Sequence, residues 1–69
     1  MDYKDHHIEV SIRANSNDWV PDVYVSYSEN GKSVLKSSRI DQTFASPQEA
    51  DKAGLAFAQK WIDDGKPDQ

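Results

Sequence analysis

Phe44-Ala45-Ser46-Pro47-Gln48-Glu49-Ala50-Asp51-Lys52-Ala53-Gly54-Leu55-Ala56-Phe57-Ala58-Gln59-Lys60-Trp61-Ile62-Asp63-Asp64-Gly65 is the stretch that decides how this chain folds, because its start, its buried stripe and its stop are all written in residue types. Ser46 can accept from an unpaired backbone N–H of the first turn, Glu49 can reach back to the N–H of the cap, and Pro47 suits the first helical position. The pattern predicts a helix over about residues 47–64. On a helical wheel Ala50, Ala53, Gly54, Phe57, Ala58 and Trp61 share one face, with Leu55 and Ile62 on its flank. That stripe is expected to lie on a sheet, its small residues permitting close approach and Phe57 and Trp61 filling the remaining space. On this reading Trp61→Ala costs about 3–5 kcal/mol. Gly65 tolerates positive φ and Pro67 cannot continue a helix, so the two form the stop. Asp63 and Asp64 oppose the negative end of the helix dipole, and nothing in the sequence says what compensates them.

The residues upstream read as strands in need of that cover. From His6 to Ala14, Ile8, Val10 and Ile12 alternate with His7, Glu9, Ser11 and Arg13, the pattern of a half-buried strand over 6–14 with its aliphatic side inward. Met1 to Asp5 form its lead-in. Asn15-Ser16-Asn17-Asp18 is a cluster of turn formers, and Pro21 cannot donate to a ladder, which puts the start of the next strand near residue 22. That strand runs to 29 and meets Asn30-Gly31, both of which accept the positive φ of a type I′ hairpin turn. A two-residue loop sets the register: Glu29 opposite Lys32, Tyr27 opposite Val34, Val25 opposite Lys36, Val23 opposite Ser38 and Asp22 opposite Arg39. The third strand covers about 32–41.

The predicted fold class is therefore α+β: a two-layer β-β-β-α domain over residues 1–69, in which a three-stranded antiparallel meander is covered on one face by one C-terminal helix, with a disordered tail at 65–69. Val23, Val25, Tyr27, Val34 and Ile40 join Ile8, Val10 and Ile12 under the helix, with the Lys36 stem along the rim. The other face carries Tyr24, Ser26, Ser28, Ser33, Leu35, Ser37 and the Asp22–Arg39 pair.

Size and composition narrow the function. A chain of 69 residues has room for one domain and buries only roughly 60% of the surface it exposes when unfolded. The absence of cysteine removes disulfides and thiolate chemistry and suits a reducing compartment. No apolar run approaches the roughly 20 residues of a membrane span, and the N-terminus is too charged for a signal peptide. The expected location is the cytoplasm. A net charge of −4 supplies no broad positive field, so nucleic-acid binding is disfavoured.

Chemistry-bearing constellations are few. His7 and Glu9 share a strand face near His6 and Asp5, but two ligands on one strand do not close a tetrahedral metal site. The serines sit on strands as polar filler, the two histidines are adjacent, and the three glycines are spent on a turn, a helix face and a helix stop. Neither catalysis nor a cofactor is expected, since two thin layers offer little room for a concave dry site. The features that suggest binding are Tyr24 and Leu35, diagonal neighbours on the uncovered face, which with His7 are the candidate protein-binding residues; Tyr3 would extend the patch. The first and third strands also leave backbone edges that a second copy or a partner can extend, so a homodimer is a live alternative.

Phe44-Ala45-Ser46-Pro47-Gln48-Glu49-Ala50, Ala53-Gly54 and Trp61-Ile62-Asp63 resemble the closing motif of short uncharacterised bacterial proteins built as three strands and a C-terminal helix, a likeness that implies a fold and no activity. Trp19-Val20-Pro21-Asp22, Glu49-Ala50 and Trp61-Ile62 also resemble, loosely, the N-terminal module of HicB-type antitoxins, which implies an antitoxin-like regulator or a nucleic-acid-associated module as the alternative role. The β-β-β-α order is shared with double-stranded RNA-binding domains, yet the helix start Gln48-Glu49-Ala50-Asp51-Lys52 has the wrong charge sign for a phosphate contact.

Overall fold

A computed structural model of the protein describes residues 2–65. Five elements follow one another: β1 (Asp2–Tyr3), β2 (His6–Asn15), β3 (Asp18–Glu29), β4 (Lys32–Arg39) and α1 (Pro47–Asp63). The strands form one antiparallel sheet in the order β1-β2-β3-β4. The architecture is α+β as expected, but the sheet has four strands where the sequence suggests three.

The additional strand is β1. Tyr3 pairs with His6 and Asp2 with His7, around Lys4 and Asp5, which both hold positive φ (48° and 64°). That is the sign pattern of a type I′ turn made without asparagine or glycine. A two-residue strand has no alternation to read, which is why it escapes pattern analysis. Its anchorage accounts for Asp63: Lys4 Nζ makes an ion pair with the Asp63 carboxylate, and Tyr3 Oη donates to the same group at 3.0 Å. The lysine neutralises a charge that otherwise opposes the helix dipole. Its ammonium and the Tyr3 hydroxyl hold the Asp63 carboxyl below its ordinary pKa, and the Lys4 ammonium is raised in turn.

The β3–β4 hairpin has the register its turn demands, from Glu29 opposite Lys32 to Asp22 opposite Arg39, with Asn30 and Gly31 at φ 52° and 77°. Two boundaries of the hairpin strands differ from expectation. β3 begins at Asp18, so Pro21 lies inside a twelve-residue strand, opposite Ile12 of β2. The Pro21 carbonyl accepts from the Ile40 N–H at 3.4 Å. Since N–H and C=O of one strand residue point to the same side, the donor that proline lacks would have faced this spot, just past the end of β4. β4 itself stops at Arg39, and the chain then returns along β3, where Phe44 and Trp19 exchange two backbone bonds of 2.9 Å.

α1 starts as its residues dictate: Ser46 Oγ accepts from the Glu49 N–H at 3.2 Å, with Pro47 in the first turn. It ends one residue earlier than expected, with Asp64 as C-cap, and Gly65, at φ 71°, donates to the Ile62 carbonyl at 2.9 Å. Gly65 is thus part of the cap. The rest of the expected disordered tail lies outside the described residues.

The helix packs on β2 and β3. Its buried ridge is Ala50, Gly54, Ala58 and Ile62, set against Ile8, Val23 and Val25, none of these three more than 1% exposed. This corrects the wheel. Ile62, expected on the flank, is core; Phe57, expected in the core, is exposed; Trp61 is half-buried beside it, the two rings tilted with centroids 5.9 Å apart. The helix is turned by roughly 50° from the centre of the hydrophobic stripe, taking 100° per residue. The reason is separation. A Cβ added at Gly54 would stand 2.7 Å from Val10 Cγ1 and 3.3 Å from Pro21 Cβ. A helix lying that close leaves no depth beneath it for an indole or a phenyl ring, so the aromatics are displaced to one flank.

Candidate functional site

Alternation puts His7, Glu9, Ser11 and Arg13 of β2, Asp22, Tyr24 and Ser26 of β3, and Leu35, Ser37 and Arg39 of β4 on the face away from the helix. The register arranges them in cross-strand rows: Asp2, His7, Ser26 and Leu35; then Glu9, Tyr24 and Ser37; then Ser11, Asp22 and Arg39. Leu35 is 68% exposed and Tyr24 36%. Tyr24 and Leu35 are diagonal neighbours as expected, and His7 shares the row of Leu35 with Ser26 between them. The three candidate residues therefore lie on one open surface. Tyr3 does not: its pairing with His6 turns it to the covered face, where it packs against the core and reaches Asp63.

Two charge clusters flank the apolar pair. At one end Asp22, a buried carboxylate, accepts from Arg13 Nε at 2.7 Å and from Arg39 Nε at 3.3 Å. The sequence anticipates the Arg39 contact from the hairpin register. It does not show the Arg13 contact, because the register of β2 on β3 depends on a turn, Asn15 to Asp18, whose loop length the residues leave open. One carboxylate shared by two guanidinium groups leaves one positive charge in surplus within this cluster.

Across the sheet, in the rows of Leu35 and Tyr24, His7 bridges two carboxylates, its Nδ1 2.8 Å from Asp2 Oδ1 and its Nε2 3.2 Å from Glu9 Oε1. An imidazolium donates from both nitrogens, so the arrangement favours the charged form. The Asp2 hydrogen bond first, and that of Glu9 second, raise the His7 pKa above its ordinary value, while the imidazole lowers that of Asp2. Because the folded pKa is raised, the stabilisation is complete below the unfolded value near 6.5 and is lost as pH rises through the folded one. In an NMR titration His7 is expected to titrate above 6.5, and Asp2→Asn to move it back down. A value at or below 6.5 in the unmodified protein would show that β1 does not hold Asp2 against the ring.

On the covered side His6 Nδ1 is 2.7 Å from the Lys4 carbonyl, and its ring lies 5.0 Å from that of Tyr27. This histidine braces the N-terminal turn. Among the described residues no group of three or more His, Cys, Asp and Glu side chains is placed to hold a metal ion, and no helix is long and apolar enough to cross a membrane.

No curated protein and no solved structure matches the chain. The likeness to HicB-type modules gains no support from the comparisons. The chain belongs to the family described as Domain of unknown function (DUF6566), whose sequence model matches residues 1–69 and so takes in β1 as well as the three longer strands and the helix.

Proposed function

We propose that the domain is a non-catalytic module that binds another polypeptide through the open sheet face, with Tyr24 and Leu35 as the apolar contacts and His7 at their margin. The observation that carries this reading is the exposure of Leu35, a large aliphatic side chain 68% accessible in the middle of β4 on the uncovered face, a diagonal neighbour of Tyr24 on a surface that also carries two charged clusters. Apolar groups ringed by polar ones are the usual composition of a recognition patch. The state of His7 supports binding over catalysis, because both of its nitrogens are taken by carboxylates and neither is directed at the neighbouring Ser26 as a base would be. A chain without cysteine suits the reducing cytoplasm, and this reading places the domain there.

Affinity capture from the organism that makes the protein, with the unmodified domain and with Tyr24→Ala/Leu35→Ala as baits, tests the proposal. Leu35→Ala is expected to shift stability by no more than about 0.5 kcal/mol, and the double variant to lose its main partner. Identical partner sets from two folded baits would remove the open face from consideration. A concentration-dependent dimer in sedimentation, abolished by the same substitutions, would instead make the second copy the partner.

A further inference from the structure

We infer that the outer edge of β4 is a docking strand for an acidic, extended polypeptide segment, which joins the sheet as a further strand. The inference rests on the binding reading above and names the partner's chemistry; it does not depend on Tyr24.

β4 is the last strand of the sheet, with β3 as its only neighbour among the described residues. α1 packs on β2 and β3, so β4 stands at the margin of the two-layer region, with Val34 half-buried on one side and Leu35 exposed on the other. The two-residue loop makes Glu29 and Lys32 a hydrogen-bonded pair, and the pattern alternates from there. Lys32, Val34, Lys36 and Ser38 point their N–H and C=O groups at β3, and the Ile40 bond to Pro21 continues that parity. Ser33, Leu35, Ser37 and Arg39 therefore present theirs outward, a ladder of four residues ready to pair.

The charge of this edge selects what can pair. β4 reads Lys32-Ser33-Val34-Leu35-Lys36-Ser37-Ser38-Arg39, three cations and no acid, in a chain whose net charge is −4. Glu29 faces Lys32 across the hairpin, but Lys36 faces Val25, and Arg39 shares its single carboxylate with Arg13. Positive charge is thus left on both faces of the strand. Pairing β4 with the β4 of a second copy would bring three cations up to three cations with no acid in either strand to offset them, the means by which edge lysines block self-association. The same sign favours a strand rich in Asp and Glu. A segment alternating acids with aliphatic residues would set carboxylates by Arg39 or Lys36 and an apolar side chain by Leu35.

The probe is a ten-residue peptide alternating glutamate with valine, added to the 15N-labelled 69-residue chain, with a lysine-for-glutamate peptide and an oligo-dT as comparisons. At saturation the amide exchange of Ser33, Leu35 and Ser37 is expected to slow by about tenfold or more, while amides already bonded to β3 change less. Ser37→Pro removes an outward N–H without touching the β3 ladder and is expected to weaken the peptide about tenfold. Lys32→Glu/Lys36→Glu, which leaves the backbone intact, is expected to weaken it by at least as much and to reduce its salt dependence. Tyr24→Ala is expected to leave peptide affinity within about twofold, since a shift of that size is under 0.5 kcal/mol.

Equal affinity for the lysine peptide, tighter binding of oligo-dT at the same residues, a β4-mediated dimer without peptide, or no added protection along the β4 edge would each overturn the inference. Peptide contacts confined to the Tyr24 surface would overturn it while leaving the proposed function standing. An edge that binds the peptide, together with partner capture indifferent to Tyr24→Ala/Leu35→Ala, would do the reverse.

Discussion

Gly54→Leu is expected to unfold the domain or to bring its urea midpoint close to zero. Even the first carbon of a side chain at this position would lie 2.7 Å from Val10 Cγ1 and 3.2 Å from Val10 Cγ2, which belong to a short branched side chain with no flexible end to move aside. A better helix former gains about 1 kcal/mol at an exposed helix site, and a single extra carbon in a packed core costs about 1–3 kcal/mol. Four carbons force the helix off β2, and with it the seal over Ile8, Val23 and Val25. A domain of this size has roughly 3–10 kcal/mol in hand, so a loss above about 3 kcal/mol removes most of it. Gly54→Ala is expected to cost about 1–2 kcal/mol, part of it restored by Val10→Ala, because the two residues occupy one contact and their effects are coupled. A urea titration in which Gly54→Leu costs less than about 1 kcal/mol would mean that the helix stands further from the sheet than 2.7 Å at that carbon implies.

Ile62→Ala is expected to cost about 2–5 kcal/mol and Phe57→Ala about 1 kcal/mol or less. Ile62 is 7% exposed and belongs to the cluster with Ile8, Val23, Val25 and Ala58, whereas Phe57 is 36% exposed and leans on Trp61. By size alone the order would be the opposite, since phenylalanine has more carbon to lose. The comparison therefore reads the rotation of the helix directly. Trp61, half-buried, is expected to fall between the two, below the value a fully buried indole would give. Phe57→Ala costing more than Ile62→Ala in denaturant unfolding would restore the hydrophobic-stripe orientation and reject the observed one.

Each part of the architecture was legible to the degree that it depends on neighbours in the chain. The hairpin register follows from Asn30-Gly31 alone, since a two-residue loop leaves its strands one alignment. The helix start follows from Ser46 and Pro47, and its stop from Gly65, for similarly local reasons. The open face inherits this: Tyr24 and Leu35 fall on it because of alternation from a known turn. β1 is a different case, held by a turn at Lys4-Asp5 without the usual residues and by an ion pair between Lys4 and Asp63, 59 positions apart. Asp63 takes its compensating cation from the other end of the chain.

Composition, alternation and turn chemistry by themselves determined that this chain makes an antiparallel sheet, that one C-terminal helix covers it, and which side of each long strand faces that helix. Only the tertiary structure decided which stripe of the helix is buried, that Arg13 joins Arg39 on Asp22, and that the N-terminus adds a fourth strand. The physical reason is the same in all three. Hydrophobic pattern fixes how much surface must be covered, but the depth of the seat at Gly54, the slip of β2 along β3 and the reach of Lys4 to the end of the helix are distances between segments, and no local preference encodes a distance.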